Sequence, residues 1–232
     1  MARVENEANM SYVIGVDESG TGAWAGPFHV GAVAVEVLPF NREIGRYLRD
    51  SKKLSDTKRR KAVPLIREHA AATAVVEVPV WEINLGPKTA WRIAISKALM
   101  QIKEALGIER ERAHEHSLLI DGPEDYDLIK MLGSGGWRNP RFEVEGDDKF
   151  PAIMAASILA KTARNDCMVA LSSEFPEYGW ERNAGYGTPE HKKACEEHGV
   201  TKHHRRIKRL KRYSGYKPEG NWFDDDGSKI DG

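Results

Sequence analysis

The 232-residue chain has no apolar run near the roughly 18 residues that a membrane span needs, and residues 1–11 lack the apolar centre of a signal peptide. A soluble, cytoplasmic protein without membrane contact is expected. Cysteine is scarce. Cys167 and Cys195 have no companion at metal-ligand spacing, and one bridge would be a thin framework for a secreted protein of this size, so both are expected as free thiols. There is no internal repeat and no net charge, with 35 basic against 35 acidic side chains. What is present is 41% hydrophobic and 30% charged residues, enough for a core under a solvated surface, which excludes a disordered or fibrous chain. The length suits one large domain or two small ones.

The zero net charge is a cancellation. Residues 200–218 carry +8 with no acid, residues 219–232 carry −4, and residues 1–199 carry the remaining −4. A basic run beside an acidic body points to a polyanion held against a carboxylate site, or else to a solvated face.

Residues 12–17 (YVIGVD) are apolar on both faces, as in a central strand, and close on acids at Asp17 and Glu18. A glycine-punctuated loop (Ser19 to Gly22) leads into a second strand at 28–37, joined closely enough to be antiparallel. Residues 56–69 read as an amphipathic helix capped by Ser55 or Asp56, 72–80 as a strand, and 88–106 as a helix with apolar residues at helical spacing. Residues 117–121 (SLLID) form another buried strand ending on an acid, 141–145 a fifth, and 151–174 a long helix opened by Pro151. A further helix starts near Pro189. The order describes an α/β protein, a mixed sheet with helices on both faces.

Cleavage of a phosphodiester by divalent ions needs several carboxylates at one point, because each ion must be held while positions stay open for substrate oxygens and water. Asp17 and Asp121 would project from one sheet edge if their strands are parallel neighbours, where open α/β sheets carry their sites. Glu18 and Asp147 would complete the set. Taken singly, each Asp reads as well as a turn or cap residue.

Gly15-Val16-Asp17-Glu18-Ser19-Gly20-Thr21-Gly22-Ala23-Trp24-Ala25-Gly26-Pro27 resembles the opening signature of the ribonuclease HII family, the type 2 ribonucleases H. Four further matches follow in the family's order: Asp50 to Leu54 (DSKKL), Ile120-Asp121-Gly122, Gly146-Asp147 with Ala155 to Lys161 (AASILAK), and Gly185 to Thr188 (GYGT). His203-His204-Arg205-Arg206 stands where the family has a basic closing motif. The resemblance covers residues 12–206, and five ordered motifs are specific where one would be weak.

The resemblance implies a ribonuclease H-like five-stranded fold over 12–199; the charge pattern adds the expectation of a basic C-terminal helical segment at 200–218 packed on it and an acidic, mobile tail at 219–232. The resemblance also implies Asp17, Glu18, Asp121 and Asp147 as catalytic metal ligands for Mg²⁺ or Mn²⁺. Asp148 competes for the fourth place; Asp147 is preferred because it follows Gly146. The implied partner is an RNA/DNA hybrid or duplex DNA containing ribonucleotides, cut by a monomer to leave 3′-hydroxyl and 5′-phosphate ends. Gly20, Thr21 and Gly22 would meet the 2′-hydroxyl through main-chain groups. Tyr186 would stack on a sugar, and Lys52, Lys53, Lys161, Arg205 and Arg206 would contact the nucleic-acid backbone. Asn84 is expected in a structural hydrogen bond, Trp91 in the core, and His114 and His116 in solvent.

Two positions depart from the family pattern. Thr21 replaces an arginine, giving a triplet closer to the ribonuclease HIII branch, whose separate N-terminal domain would have no room here. A relaxed preference for RNA–DNA junctions is therefore expected. Glu145 replaces a lysine beside the acids. The rival readings are a silent hybrid-binding module, which would show no Mg²⁺-dependent cleavage, and another nuclease of the same fold, which would cut all-DNA duplex.

Overall fold

The structure, a computed structural model, describes residues 11–45, 48, 55–215, 222–224 and 228–230. Strands β1 (Val13–Ser19), β2 (Phe28–Val35), β3 (Ala72–Val78), β4 (Ser117–Asp121) and β5 (Arg141–Glu143) form a mixed sheet in the order β3-β2-β1-β4-β5. β1 pairs in parallel with β4, and β4 with β5. Every residue of β2 is buried, so it is covered on both faces, as its unbroken apolar sequence requires. The long helices are α1 (Asp56–His69), α2 (Pro87–Leu106), α3 (Tyr126–Ser134), α4 (Pro151–Glu174) and α5 (Pro189–His198). Among the described residues no helix is long and apolar enough to cross a membrane.

The chain divides into two compact units. One holds Met1–Glu18, Val30–Val76 and Ile95–Thr162; the other holds Ser19–His29, Glu77–Ala94 and Ala163–Gly232. Each has its own core cluster. In the first, Val33, Phe40, Ile66, Ala155 and Leu159 are packed together. In the second, Trp24, Met168, Tyr178, Trp180 and Cys195 are. Within the first unit α4 lies hard against the sheet. A Cβ on Gly15 would come 2.2 Å from the Ala152 carbonyl carbon, and one on Gly31 would come 2.3 Å from the Ala156 oxygen. Only glycine permits that approach, which fixes the helix over β1 and β2.

Several expected boundaries move. β2 stops at Val35 because Val37–Phe40 turns into a helical segment, and β3 stops at Val78 before another at Val80–Ile83. The basic run, expected to be helical, contains in its described part, 200–215, one 3₁₀ turn at Lys208–Leu210. Its backbone is taken up elsewhere: Gly26 N–H donates to His203 O, Arg205 N–H to Trp24 O, and Val200 N–H to Ser214 O. Those partners replace the i→i−4 ladder. Within the expected acidic tail, Trp222–Phe223 pairs antiparallel with Lys229–Ile230, and Phe223, itself buried, donates its N–H to Arg206 O.

Candidate active site

β1 delivers Asp17 and Glu18, and β4 delivers Asp121. The parallel register sets Val16 opposite Ile120, so Asp17, two residues before the end of β1, and Asp121, the last residue of β4, lie towards the carboxyl ends of neighbouring strands. Asp17 is 5% exposed and accepts the Glu18 amide on Oδ1 at 2.7 Å. Burial lifts its pKa to about 6. The Asp121 charge adds to the rise, while the Ser157 hydroxyl, Lys161 and the Glu18 amide offset part of it.

Asp121 Oδ1 accepts the Gly146 amide at 2.6 Å, which holds the next acidic segment beside it. Gly146 is closely packed there: a Cβ would come 2.6 Å from Ile153 Cδ1 and 3.2 Å from Asp121 Oδ1. The preceding residue, Glu145, is exposed and takes the left-handed conformation at φ 56°. Asp147 is half-buried, with Oδ2 3.5 Å from Lys161 Nζ, whereas Asp148 is exposed. Glu143, on β5 opposite Asp121, is engaged by Arg141.

This donor set suits a hard divalent cation: every candidate ligand is a carboxylate, and the buried Asp17 carries a desolvation and repulsion cost that a cation would offset. The four acids do not form the tightest donor cluster. Among the described residues, the three such groups with donor atoms within 4.8 Å of one another are His191, Cys195 and His204. His191 stands four residues before Cys195 on α5, and the group that completes the trio, His204, comes from the irregular stretch after α5.

The hydrogen bonds show what that trio is. Thr201 N–H donates to His204 Nδ1 at 2.9 Å, so the neutral ring carries its proton on Nε2. That nitrogen lies 3.1 Å from His191 Nε2 and 3.5 Å from Cys195 Sγ. His191 donates from Nδ1 to Tyr186 O and receives the Trp180 indole N–H on Nε2. Burial keeps both rings neutral, with the His204 pKa pushed down to about 3. The lone pairs a metal would use are committed to this network.

The second unit presents the glycine loop and the Tyr186 loop. Thr21 and Gly22 are exposed, and Gly20 is buried at φ +94°. Trp24 and Ala25 both donate their N–H to Gly185 O, which ties the two loops together. Tyr186 is 42% exposed, flanked by glycines, with its amide donating to Asn183 O. Arg164 lies over its ring, 5.2 Å from the centroid.

Arg205 departs from expectation. It is 3% exposed, and its guanidinium donates from Nε and Nη2 to Gly26 O and from Nη1 to Thr21 O. Three of its N–H groups clamp the glycine loop and the side chain is buried, which does not fit an exposed contact with a nucleic-acid backbone; burial lowers its pKa to about 9. Arg206 is half-buried. Its amide donates to Asn84 Oδ1 at 2.7 Å, the structural hydrogen bond expected of Asn84. His116 is half-buried rather than fully in solvent, and its Nδ1 accepts the Tyr12 amide. Lys52 and Lys53 lie outside the described residues. Sequence reasoning missed Arg164, whose only signal was its place three residues after Lys161 in a motif-bearing helix.

A mixed sheet with two carboxylates on adjacent parallel strands and a third on the short helix Gly146–Lys149 after β5 defines a metal-dependent hydrolase of ribonuclease H-like architecture. The family profile described as Ribonuclease HII matches residues 14–214. A ribonuclease HII of Prochlorococcus marinus (strain MIT 9313) is 37% identical over 196 residues, covering 84% of this chain and 82% of its own length. That of Halorhodospira halophila is 40% identical over 195 residues, covering 84% and 90%. Among solved structures, the PCNA:RNase HII complex from Archaeoglobus fulgidus superposes with a TM-score of 0.67 at 22% identity, covering 87% of this chain and 97% of that one, a likeness of fold. The chain belongs to the ribonuclease HII family, and is therefore a metal-dependent endoribonuclease of the ribonuclease H type.

Proposed function

We propose that this protein hydrolyses the RNA strand of RNA/DNA hybrids and ribonucleotides embedded in duplex DNA, acting as a cytoplasmic monomer with Mg²⁺ or Mn²⁺. The observation that carries the reading is the pair Asp17 and Asp121, towards the carboxyl ends of adjacent parallel strands, one of them buried with a raised pKa. Asp17, Glu18, Asp121 and Asp147 would hold the ions. A bound divalent ion supplies charge stabilisation at the scissile phosphate and activates water. The Gly146 amide keeps Asp121 oriented, and Lys161 beside Asp147 balances negative charge.

Main-chain groups of Gly20 to Gly22 would read the 2′-hydroxyl, the one group separating ribose from deoxyribose, and Tyr186 would face the neighbouring sugar. With Arg205 buried, the duplex backbone falls to exposed cations. Lys192, Lys208, Arg209 and Arg212 line one cavity with Trp24, and Lys192 Nζ stands 5.9 Å over the Trp24 ring. Thr21 in place of arginine supports activity on continuous hybrids as well as junctions.

A panel of end-labelled duplexes tests the reading: continuous hybrid, single ribonucleotide in DNA, and all-DNA, each with Mg²⁺, Mn²⁺ or chelator. Metal-dependent cleavage of the first two alone, leaving 3′-hydroxyl ends, is expected. Cleavage of all-DNA duplex, or full activity in chelator, would falsify it.

A further inference from the structure

We infer that Arg164 is a positioning residue for ribose selection, because its side chain sets the spacing between the glycine loop at Gly20 and the ring of Tyr186. The inference rests on the ribonuclease reading above and extends it to a residue that touches neither the acids nor, as proposed, the substrate.

Arg164 lies on α4 and is 1% exposed. Its planar group reaches both recognition loops. Nε donates to Pro27 O at 3.1 Å, behind the glycine loop, and Nη2 donates to Ala184 O at 2.6 Å, at the start of the Tyr186 loop. The guanidinium covers the Tyr186 ring at 5.2 Å. Gly20 rests on the same side chain, since a Cβ there would come 1.8 Å from Arg164 Nε. One side chain therefore contacts the backbone that would meet the 2′-hydroxyl and the ring that would face the next sugar.

The division of labour at Tyr186 makes the role specific. Its backbone is fixed by other groups: the amide by Asn183 O, the carbonyl by Thr188 N–H and His191 Nδ1. What they leave free is ring rotation, and among the described residues Arg164 is the cation against that ring. A lysine would bring the charge but not a rigid fork able to hold two carbonyls and cover an aromatic face together.

The test compares Arg164→Lys with wild type on a single ribonucleotide in DNA and on continuous hybrid. A misplaced ring should lower kcat/KM on the single ribonucleotide by about tenfold or more, with a smaller loss on the hybrid, which offers many registers. KM should change less than kcat, because the exposed basic residues are untouched. In a Tyr186→Ala background Arg164→Lys should cost less than it does in the wild type, since the ring it positions is gone and only its contact with the glycine loop remains to be lost. Equal losses on both substrates, or additive losses in the double variant, assign Arg164 to fold maintenance and overturn the inference. A wild type inactive on both substrates overturns the function and the inference with it; an active wild type with an unchanged substrate ratio in the variant overturns the inference alone. Should Arg164→Lys not fold, the wild type decides by nuclear magnetic resonance: a nuclear Overhauser effect between the Tyr186 ring and the Arg164 side chain is expected, and its absence sinks the proposal.

Discussion

The Gly146 amide donates to Asp121 Oδ1 at 2.6 Å, so the residue that closes β4 also holds the start of the short helix Gly146–Lys149 that carries Asp147. The carboxylate oxygen that accepts this bond has a counterpart in asparagine, but the second oxygen and the charge do not.

Asp121→Asn is therefore expected to fold like the wild type and to lose at least ~10²-fold in cleavage rate, as removal of several kcal/mol of charge stabilisation predicts. Thermal unfolding and single-turnover cleavage check the two halves. A folded variant with near wild-type activity would remove Asp121 from the metal site.

His29 gives a pH dependence. It is 4% exposed, burial lowers its pKa to about 4, and Nε2 lies 3.3 Å from Glu77 Oε2. The unfolded chain takes up the proton first, so the stability this group permits is intact above about pH 6.5 and is lost as pH falls towards 4. At pH 5 the loss is about 2 kcal/mol. His29→Gln, which does not titrate, should flatten the urea midpoint between pH 7 and pH 5; an unchanged slope would show that His29 is not the group responsible.

Neutralising Lys192, Lys208, Arg209 and Arg212 together should weaken duplex binding and reduce the slope of log Kd against log salt by about one for each phosphate no longer neutralised. Titration with a non-cleavable duplex at several salt concentrations measures it. If the slope does not move, the cations are a solvated face.

Thr21 is exposed, and its carbonyl is held by Arg205 whatever its side chain. Thr21→Arg should therefore leave the loop in place and add a charged interaction worth about 1.5 to 3 kcal/mol, felt most on a single ribonucleotide. The expected outcome is a higher kcat/KM ratio of single ribonucleotide to continuous hybrid. The same ratio in both proteins would mean that position 21 does not set the preference.

The sequence by itself determined the strands that end in acids, the helices at 56–69 and 151–174, and the order of motifs. These follow from local periodicity, from prolines and glycines, and from apolar runs that can only be interior strands. The parallel register that brings Asp17 beside Asp121 depends on the sheet order, which local pattern does not contain. Only the tertiary structure decided the fate of the charges. Arg205 sits in a basic run and reads as a phosphate ligand, but its carbonyl acceptor at Gly26 lies 179 positions away in the chain. Arg164, Cys195 and His204 are opaque in the sequence for the same reason. Whether a polar group is free for a ligand depends on which distant carbonyls and rings folding brings to it, and local sequence does not record those distances.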